Sequence, residues 1–185
     1  MTTKELAELM FPDITKTIAD YEKEYPERPE GTVVTRYAPS PTGFMHIGNF
    51  YSVVIDYVIA KRSNGVFFLR NEDTDQAREV EGAVEYIMHV LDHYNFHPDE
   101  YEIKGGETVG NYGPYIQSER RPIYKAFIKE LIAEGKAYPC FMTQEEMDVI
   151  RENQTKAKAR IGIYGKFAKS RNLTPDEAAE KIKAG

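Results

Sequence analysis

The chain has 185 residues, with 24 Lys and Arg against 30 Asp and Glu, a net charge of −6, 41% hydrophobic residues and one cysteine. That length buries a sizeable core in one domain, or in one domain and part of a second, and the composition excludes a disordered or fibrous chain. Cys140 alone makes neither an internal disulfide nor a Cys-rich zinc site, and no apolar run approaches the roughly 20 residues that span a bilayer. The early acidic residues Glu5, Glu8 and Asp13 are wrong for a secretory or transit peptide, so a soluble, cytoplasmic protein is expected.

The charge is unevenly spread. Residues 1–31 carry a net −4, residues 32–70 +3, residues 71–111 −9 and residues 151–171 +6. A +6 stretch attracts phosphate even in an acidic protein. The plainer account makes Arg151, Lys156, Lys158 and Arg160 the solvated face of a helix.

The first thirty residues read as a helical leader, with Leu6, Leu9, Met10, Ile14, Ile18 and Tyr21 at helical spacing, interrupted by Pro12 and ended by Pro26 and Pro29. Thr32 to Tyr37 is β-branched and aromatic and predicts a buried strand. It runs into Ala38-Pro39-Ser40-Pro41-Thr42-Gly43, a loop that its prolines and glycine keep out of helix. A helix follows from about Ile47, apolar on more than one side, and Ser63-Asn64-Gly65 stops it. Val66 to Arg70 is a second strand, and a right-handed crossover makes the two parallel. Val80, Val84, Ile87, Leu91 and Tyr94, spaced 4, 3, 4, 3, predict a third helix, and His89 and His93 lie on its opposite face. With His97 next to Pro98, these histidines read as exposed side chains rather than a metal site. Ser118 to Glu134 is a helix with Ile123, Phe127 and Leu131 inward, closed by Gly135, and Ala137 to Met142 is a candidate strand. Thr143 with Glu146, and Thr174 with Glu177, have the spacing of capping boxes.

In open α/β sheets ligands bind outside the carboxyl ends of the strands. The first such position here holds Ser40, Thr42, Gly43, His46 and Gly48, just ahead of a helix N-terminus whose free N–H groups and dipole suit phosphate. Neither G-x-x-x-x-G-K-[ST] nor G-x-G-x-x-G occurs. An anion site with a histidine in the first turn points instead to chemistry at a nucleotide α-phosphate, where imidazole donates to a charged phosphoryl oxygen.

Four blocks follow in order: Arg36-Tyr-Ala-Pro-Ser-Pro-Thr-Gly43, His46-Ile-Gly-Asn49, Leu69-Arg-Asn-Glu-Asp-Thr-Asp75 and Gly113-Pro-Tyr-Ile-Gln-Ser-Glu-Arg120. Together they resemble the glutamyl-tRNA synthetases, class I aminoacyl-tRNA synthetases whose HIGH signature RYAPSPTGFMHIGN matches. The glutaminyl enzymes' Pro-Glu-Pro-Asn-Gly loop and D-D-T-N block are absent from the chain. The resemblance implies an α/β fold: the first half of a Rossmann-like nucleotide-binding domain over residues 32–111 and part of an α/β acceptor-end-binding insert over residues 112–185, after a helical extension over 1–31.

It implies that Arg36 faces the α-carboxylate of glutamate, a guanidinium fork suiting a carboxylate. Ala38 and Ser40 line the amino-acid pocket, and Glu72 receives the ammonium. Thr42, His46, Gly48 and Asn49 address ATP, with His46 and Thr42 acting on the phosphates and Mg²⁺ accompanying them. Without the motif, Arg36 and Glu72 read as a pair across the strand ends. Asn49 stands where the general signature has its last histidine. The +6 stretch falls in the insert, so Arg151, Lys156, Lys158 and Arg160 become candidates for contact with the acceptor end of tRNA(Glu).

Cys140-Phe141-Met142 lacks the Cys-x-Cys zinc knuckle of some relatives, so no zinc is expected and Cys140 reads as a small packed side chain. The family's KMSKS loop and anticodon-binding region do not occur in the sequence, so the chain is expected to be the N-terminal part of a monomeric enzyme and inactive alone. A stand-alone adenylyltransferase with no RNA partner, and a non-catalytic ligand-binding fragment, are the alternatives.

Overall fold

A computed structural model of the chain describes residues 1–103 and 105–185. The helices are α1 (Thr3–Met10), α2 (Ile18–Glu24), α3 (Ile47–Arg62), α4 (Ala83–His93), α5 (Arg121–Ala133), α6 (Gln144–Lys156) and α7 (Pro175–Ala184). The strands are β1 (Val34–Tyr37), β2 (Val66–Leu69), β3 (Tyr101–Glu102) and β4 (Thr108–Val109). Two compact units result, one of residues 19–124 and one of residues 1–18 with 125–185.

The first unit is a β-α-β unit with added pieces. β1 and β2 pair in parallel, Tyr37 opposite Leu69 and Arg36 opposite Phe68, as a strand–helix–strand crossover requires. Their carboxyl ends therefore open on the same side. On the far side of β2, Phe68 bridges in parallel to Glu100. The core holds Tyr37, Val53, Ala60, Phe67, Leu69, Ile87 and Leu91.

Several expectations change here. In β1 only Tyr37 is buried; Val34 and Arg36 are exposed, because side chains alternate along a strand and it is Thr35 and Tyr37 that face α3, the Thr35 hydroxyl donating to the Asp56 carbonyl at 2.8 Å. α3 buries Val53 and Ala60, but Ile47, Tyr51, Ile55 and Ile59 are exposed. Its apolar content therefore faces one packed side and one open side. Val80 precedes α4 and Tyr94 caps it, so the packed face is Ala83, Ile87 and Leu91. His89 and His93 are exposed, as the helical angles imply, and so is His97, which lies past the helix beside Pro98. The β3–β4 hairpin was not expected, since two-residue strands are too short to show a period of two.

In the second unit Leu6 and Ala7 of α1 pack with Ile132 of α5 and Ala178 and Ala179 of α7. The expected helix from Ser118 begins as a 3₁₀ turn over Gln117–Arg120 and becomes α5. Its buried residues are Ala126 and Ile132, whereas Phe127 and Leu131 are exposed and Ile123 is half-buried. Ala137 to Met142 is not a strand: Pro139 has no N–H to give a ladder, and the Phe141 N–H goes to Ser170 Oγ at 3.3 Å. Cys140 is exposed rather than packed. Both expected capping boxes form, Thr143 with Glu146 and Thr174 with Glu177.

Candidate active site

The parallel register places Arg36 and the segment after β2 at the same end of the sheet. Arg36 Nη1 lies 3.4 Å from Glu72 Oε1, and Arg70 Nη2 lies 2.9 Å from the same oxygen. One carboxylate thus faces two guanidinium groups at the mouth of the strands. The pairing expected without the motif exists, in the place the motif gives to an amino acid. Ala38, half-buried, leaves β1 beside Arg36. The Glu72 N–H donates to the Pro39 carbonyl at 2.8 Å, tying the two motif segments together.

Beyond Pro39, a cavity of about 310 Å³ is lined by Ser40, Thr42, His46 and Asn49 among others. His46 is the N-cap of α3, and its geometry explains the residues after it. Its Nδ1 accepts from the Gly48 N–H at 3.1 Å, and its own backbone N–H donates to Asn49 Oδ1 at 3.2 Å. A Cβ on residue 48 would stand 3.0 Å from His46 Cε1, so glycine is what lets the ring lie over the helix start. With Nδ1 accepting, the imidazole carries its proton on Nε2 and keeps a donor for a ligand. Asn49 completes a capping box, a role open to asparagine through its side-chain oxygen.

The remaining motif residues are fixed by backbone contacts. Asn71 N–H donates to the Tyr115 carbonyl, and Gln117 N–H donates to the Asn71 carbonyl, both at 2.9 Å. Asp73, 2% exposed, accepts from the Ser118 N–H at 2.8 Å and the Ser118 hydroxyl at 2.5 Å. The blocks around residues 72 and 115 therefore hold Glu72 from both sides. Asp73 and Ser118 both lie in the motif blocks, yet nothing in the sequence marks them as partners. Asp56 was missed too: burial pushes its carboxyl above the ordinary value, and Arg36 opposes that rise.

The four cations proposed for tRNA contact, Arg151, Lys156, Lys158 and Arg160, are all exposed, and they differ in their surroundings. Arg151 pairs with Asp148 at 3.2 Å and Lys156 with Glu152 at 2.7 Å, within one or two turns of α6. Lys158 and Arg160 lie past the end of that helix. Among the described residues no group of three or more His, Cys, Asp or Glu side chains is placed to hold a metal ion.

Comparison with known proteins decides the family. Residues 32–185 match the family model described as tRNA synthetases class I (E and Q), catalytic domain. The chain belongs to this family. A glutamate–tRNA ligase of Clostridium perfringens (strain 13 / Type A) is 48% identical over 187 residues, covering 100% of this chain and 34% of the relative. The Acetivibrio thermocellus glutamate–tRNA ligase is 49% identical over 185 residues, covering 98% and 34%. Among solved structures, the glutamate-tRNA synthetase of Elizabethkingia anophelis superposes with a TM-score of 0.70 at 37% identity, covering 83% of this chain and 31% of that one. The chain spans about a third of the length of the curated relatives it matches. Within the class I synthetase family the parallel β-α-β unit is part of the Rossmann-like catalytic domain.

Proposed function

We propose that this chain carries the glutamate- and ATP-binding part of a glutamyl-tRNA synthetase. The parent reaction joins glutamate and ATP into glutamyl-adenylate and pyrophosphate, and then transfers glutamate to the 3′-terminal ribose of tRNA(Glu). The observation that carries this reading is the Arg36–Glu72 pair at the carboxyl ends of two parallel strands, beside a helix N-terminus capped by His46. An α-amino acid bears its ammonium and carboxylate on one carbon. Two protein charges of opposite sign, already neighbours, suit that head group. Arg36 takes the α-carboxylate and Glu72 the ammonium, while Ala38 and Ser40 line the pocket.

In the adenylation step a carboxylate oxygen of glutamate attacks the α-phosphorus in line, and the bond to the pyrophosphate leaving group breaks. This chain contributes positioning and charge stabilisation. His46 donates from Nε2 to a phosphoryl oxygen, the α3 dipole favours the negative charge there, and Thr42, Gly48 and Asn49 complete the ATP side. Mg²⁺ enters with the ATP phosphates, as it commonly does where a protein supplies no carboxylate cage.

Residues 32–111 are assigned to the first half of the catalytic domain, residues 112–185 to part of the acceptor-end-binding insert and residues 1–31 to a helical extension. In the insert, Arg151, Lys156, Lys158 and Arg160 are the proposed tRNA contacts, Lys158 and Arg160 foremost because the other two already face carboxylates. A cytoplasmic monomer is proposed; among the described residues no helix is long and apolar enough to cross a membrane.

Calorimetry with glutamate and with ATP tests the assignment. Glu72→Gln is expected to weaken glutamate binding at least about ten-fold while ATP affinity stays within about two-fold. Glutamate affinity unaltered in Glu72→Gln would refute the role given to Glu72.

A further inference from the structure

The segment just before β1 is fastened to a buried cluster behind the amino-acid end of the site. Arg28 Nη2 contacts both carboxylate oxygens of Glu100, at 2.8 and 2.6 Å. Its guanidinium lies over the Tyr112 ring, 3.8 Å from the centroid. Tyr112 in turn donates its hydroxyl to the Pro26 carbonyl at 3.0 Å. Glu100 is 8% exposed, and Tyr115, 2% exposed, donates its hydroxyl to the same carboxylate at 2.9 Å. A Cβ on Gly110 would stand 2.5 Å from the Tyr115 hydroxyl and 2.7 Å from Glu100 Cγ, so the cluster admits no further atom there.

From this cluster two backbone paths reach the segment that holds Glu72. The Glu100 carbonyl accepts from the Leu69 N–H at 2.9 Å, at the end of β2, and the Tyr115 carbonyl accepts from the Asn71 N–H at 2.9 Å. Arg70 and Glu72 directly follow Leu69 and Asn71 in the chain. An ion pair with one buried and one half-buried partner contributes little net stability, because desolvation offsets the attraction; its better-attested use is to fix one arrangement. Here the arrangement it fixes is the exit of β2.

We infer that Arg28 is a positioning residue: through Glu100 and Tyr115 it sets where the Glu72 carboxylate stands. This rests on the proposed assignment of Glu72 to the substrate ammonium. It also gives residues 26–31 of the extension a part in the amino-acid site that their sequence did not suggest. Arg28 touches no substrate in this account and acts only through the residues behind Glu72.

The test is Arg28→Met in the 185-residue chain, which keeps a stem over Tyr112 and removes the charge. Two readouts are taken on folded protein, glutamate and ATP affinity by calorimetry and amide hydrogen exchange residue by residue. The expected result is a glutamate Kd raised about ten-fold, ATP affinity within about two-fold, and Asn71 amide exchange faster by about ten-fold, with the Val66 amide unaltered. An unmoved glutamate affinity overturns the inference even if exchange accelerates, since Arg28 is then a structural anchor only. Unmoved Asn71 exchange overturns it as well. If the wild-type chain binds no glutamate, the assignment of Glu72 fails by itself, and exchange alone decides whether Arg28 holds the segment. Should Arg28→Met not fold, R28M/E100Q removes both charges and takes its place; wild-type affinity and exchange in that double variant overturn the inference.

Discussion

Gly48 lies against the His46 ring at a spacing tight for a methyl group, and Gly48→Ala is the substitution that best separates site geometry from fold stability. The new Cβ would meet His46 Cε1 at 3.0 Å and Nδ1 at 3.1 Å, tighter than ordinary contact, so the exposed ring must give way by a few tenths of an ångström, which strains the bond it accepts from the residue-48 N–H, at most to the point of losing it. Losing an N-cap bond costs about 1 kcal/mol, whereas replacing glycine by alanine in a helix returns about 0.5–1 kcal/mol. The two effects nearly cancel, and the melting temperature should move by no more than roughly 2–4 °C. ATP binding has no such compensation. A hydrogen bond to a charged group is worth about 1.5–3 kcal/mol, so a displaced imidazole should weaken ATP roughly ten- to hundred-fold. Thermal melting and ATP calorimetry on the same preparation check both halves. Unaltered ATP affinity would refute the placement of His46 at the phosphates, and a large loss of stability would refute the cap argument.

Three further outcomes follow from particular contacts. Burial raises the Asp56 carboxyl above its ordinary value, so the folded chain holds that proton more tightly than the unfolded one. The associated stability is complete below the unfolded pKa near 3.9 and is lost as pH rises through the folded value. Asp56→Asn should therefore raise the urea midpoint at pH 7 and not at pH 3, and a gain of equal size at both would contradict the linkage. For the proposed RNA surface, K158A/R160A should weaken binding of an acceptor-stem RNA more than R151A/K156A, because Arg151 and Lys156 already pair with Asp148 and Glu152. The slope of log K against log salt should fall by about 0.7–0.9 for each contact removed, measured by anisotropy over a salt series. Tyr37 is pushed up to about 12 by burial, so alkaline titration followed by ultraviolet absorbance should leave it protonated at pH 11 in the folded chain. In Leu69→Ala, which opens the core around that ring, it should titrate earlier; an unaltered curve would count against burial as the cause.

The β-α-β unit was legible because each of its parts carries its own local signal. The β-branched run of β1, the apolar spacing of α3 and the Ser63-Asn64-Gly65 stop each fix one element, and chirality does the rest. Helix ends marked by Thr143 and Thr174 were legible for the same reason. Which apolar residues would be covered was not. Ile47 and Tyr51 of α3, and Phe127 and Leu131 of α5, look like core by spacing and stand exposed. Burial depends on which neighbours arrive, and periodicity describes one helix alone. Ala137 to Met142 has the apolar character of a strand, but Pro139 within it cannot donate to a ladder.

In the proposed site, the blocks name the residues that carry chemical groups, and they do not show the residues that hold those groups in place. The sequence places His46 and Asn49 three apart, yet only the geometry makes Asn49 a cap on the His46 backbone. Asp73 with Ser118, and Arg28 with Glu100, are 45 and 72 residues apart. No local rule pairs residues so distant in one sequence. Their partners became readable once β2 brought its exit beside residues 100 and 115.

The central claim is that Arg36 and Glu72 together receive the head group of an amino acid. Its most direct test is calorimetric titration of glutamate into the wild-type chain and into Arg36→Ala. The account predicts binding in the wild type and a loss of at least about ten-fold in the variant, with ATP affinity held. Glutamate binding that survives Arg36→Ala would contradict it.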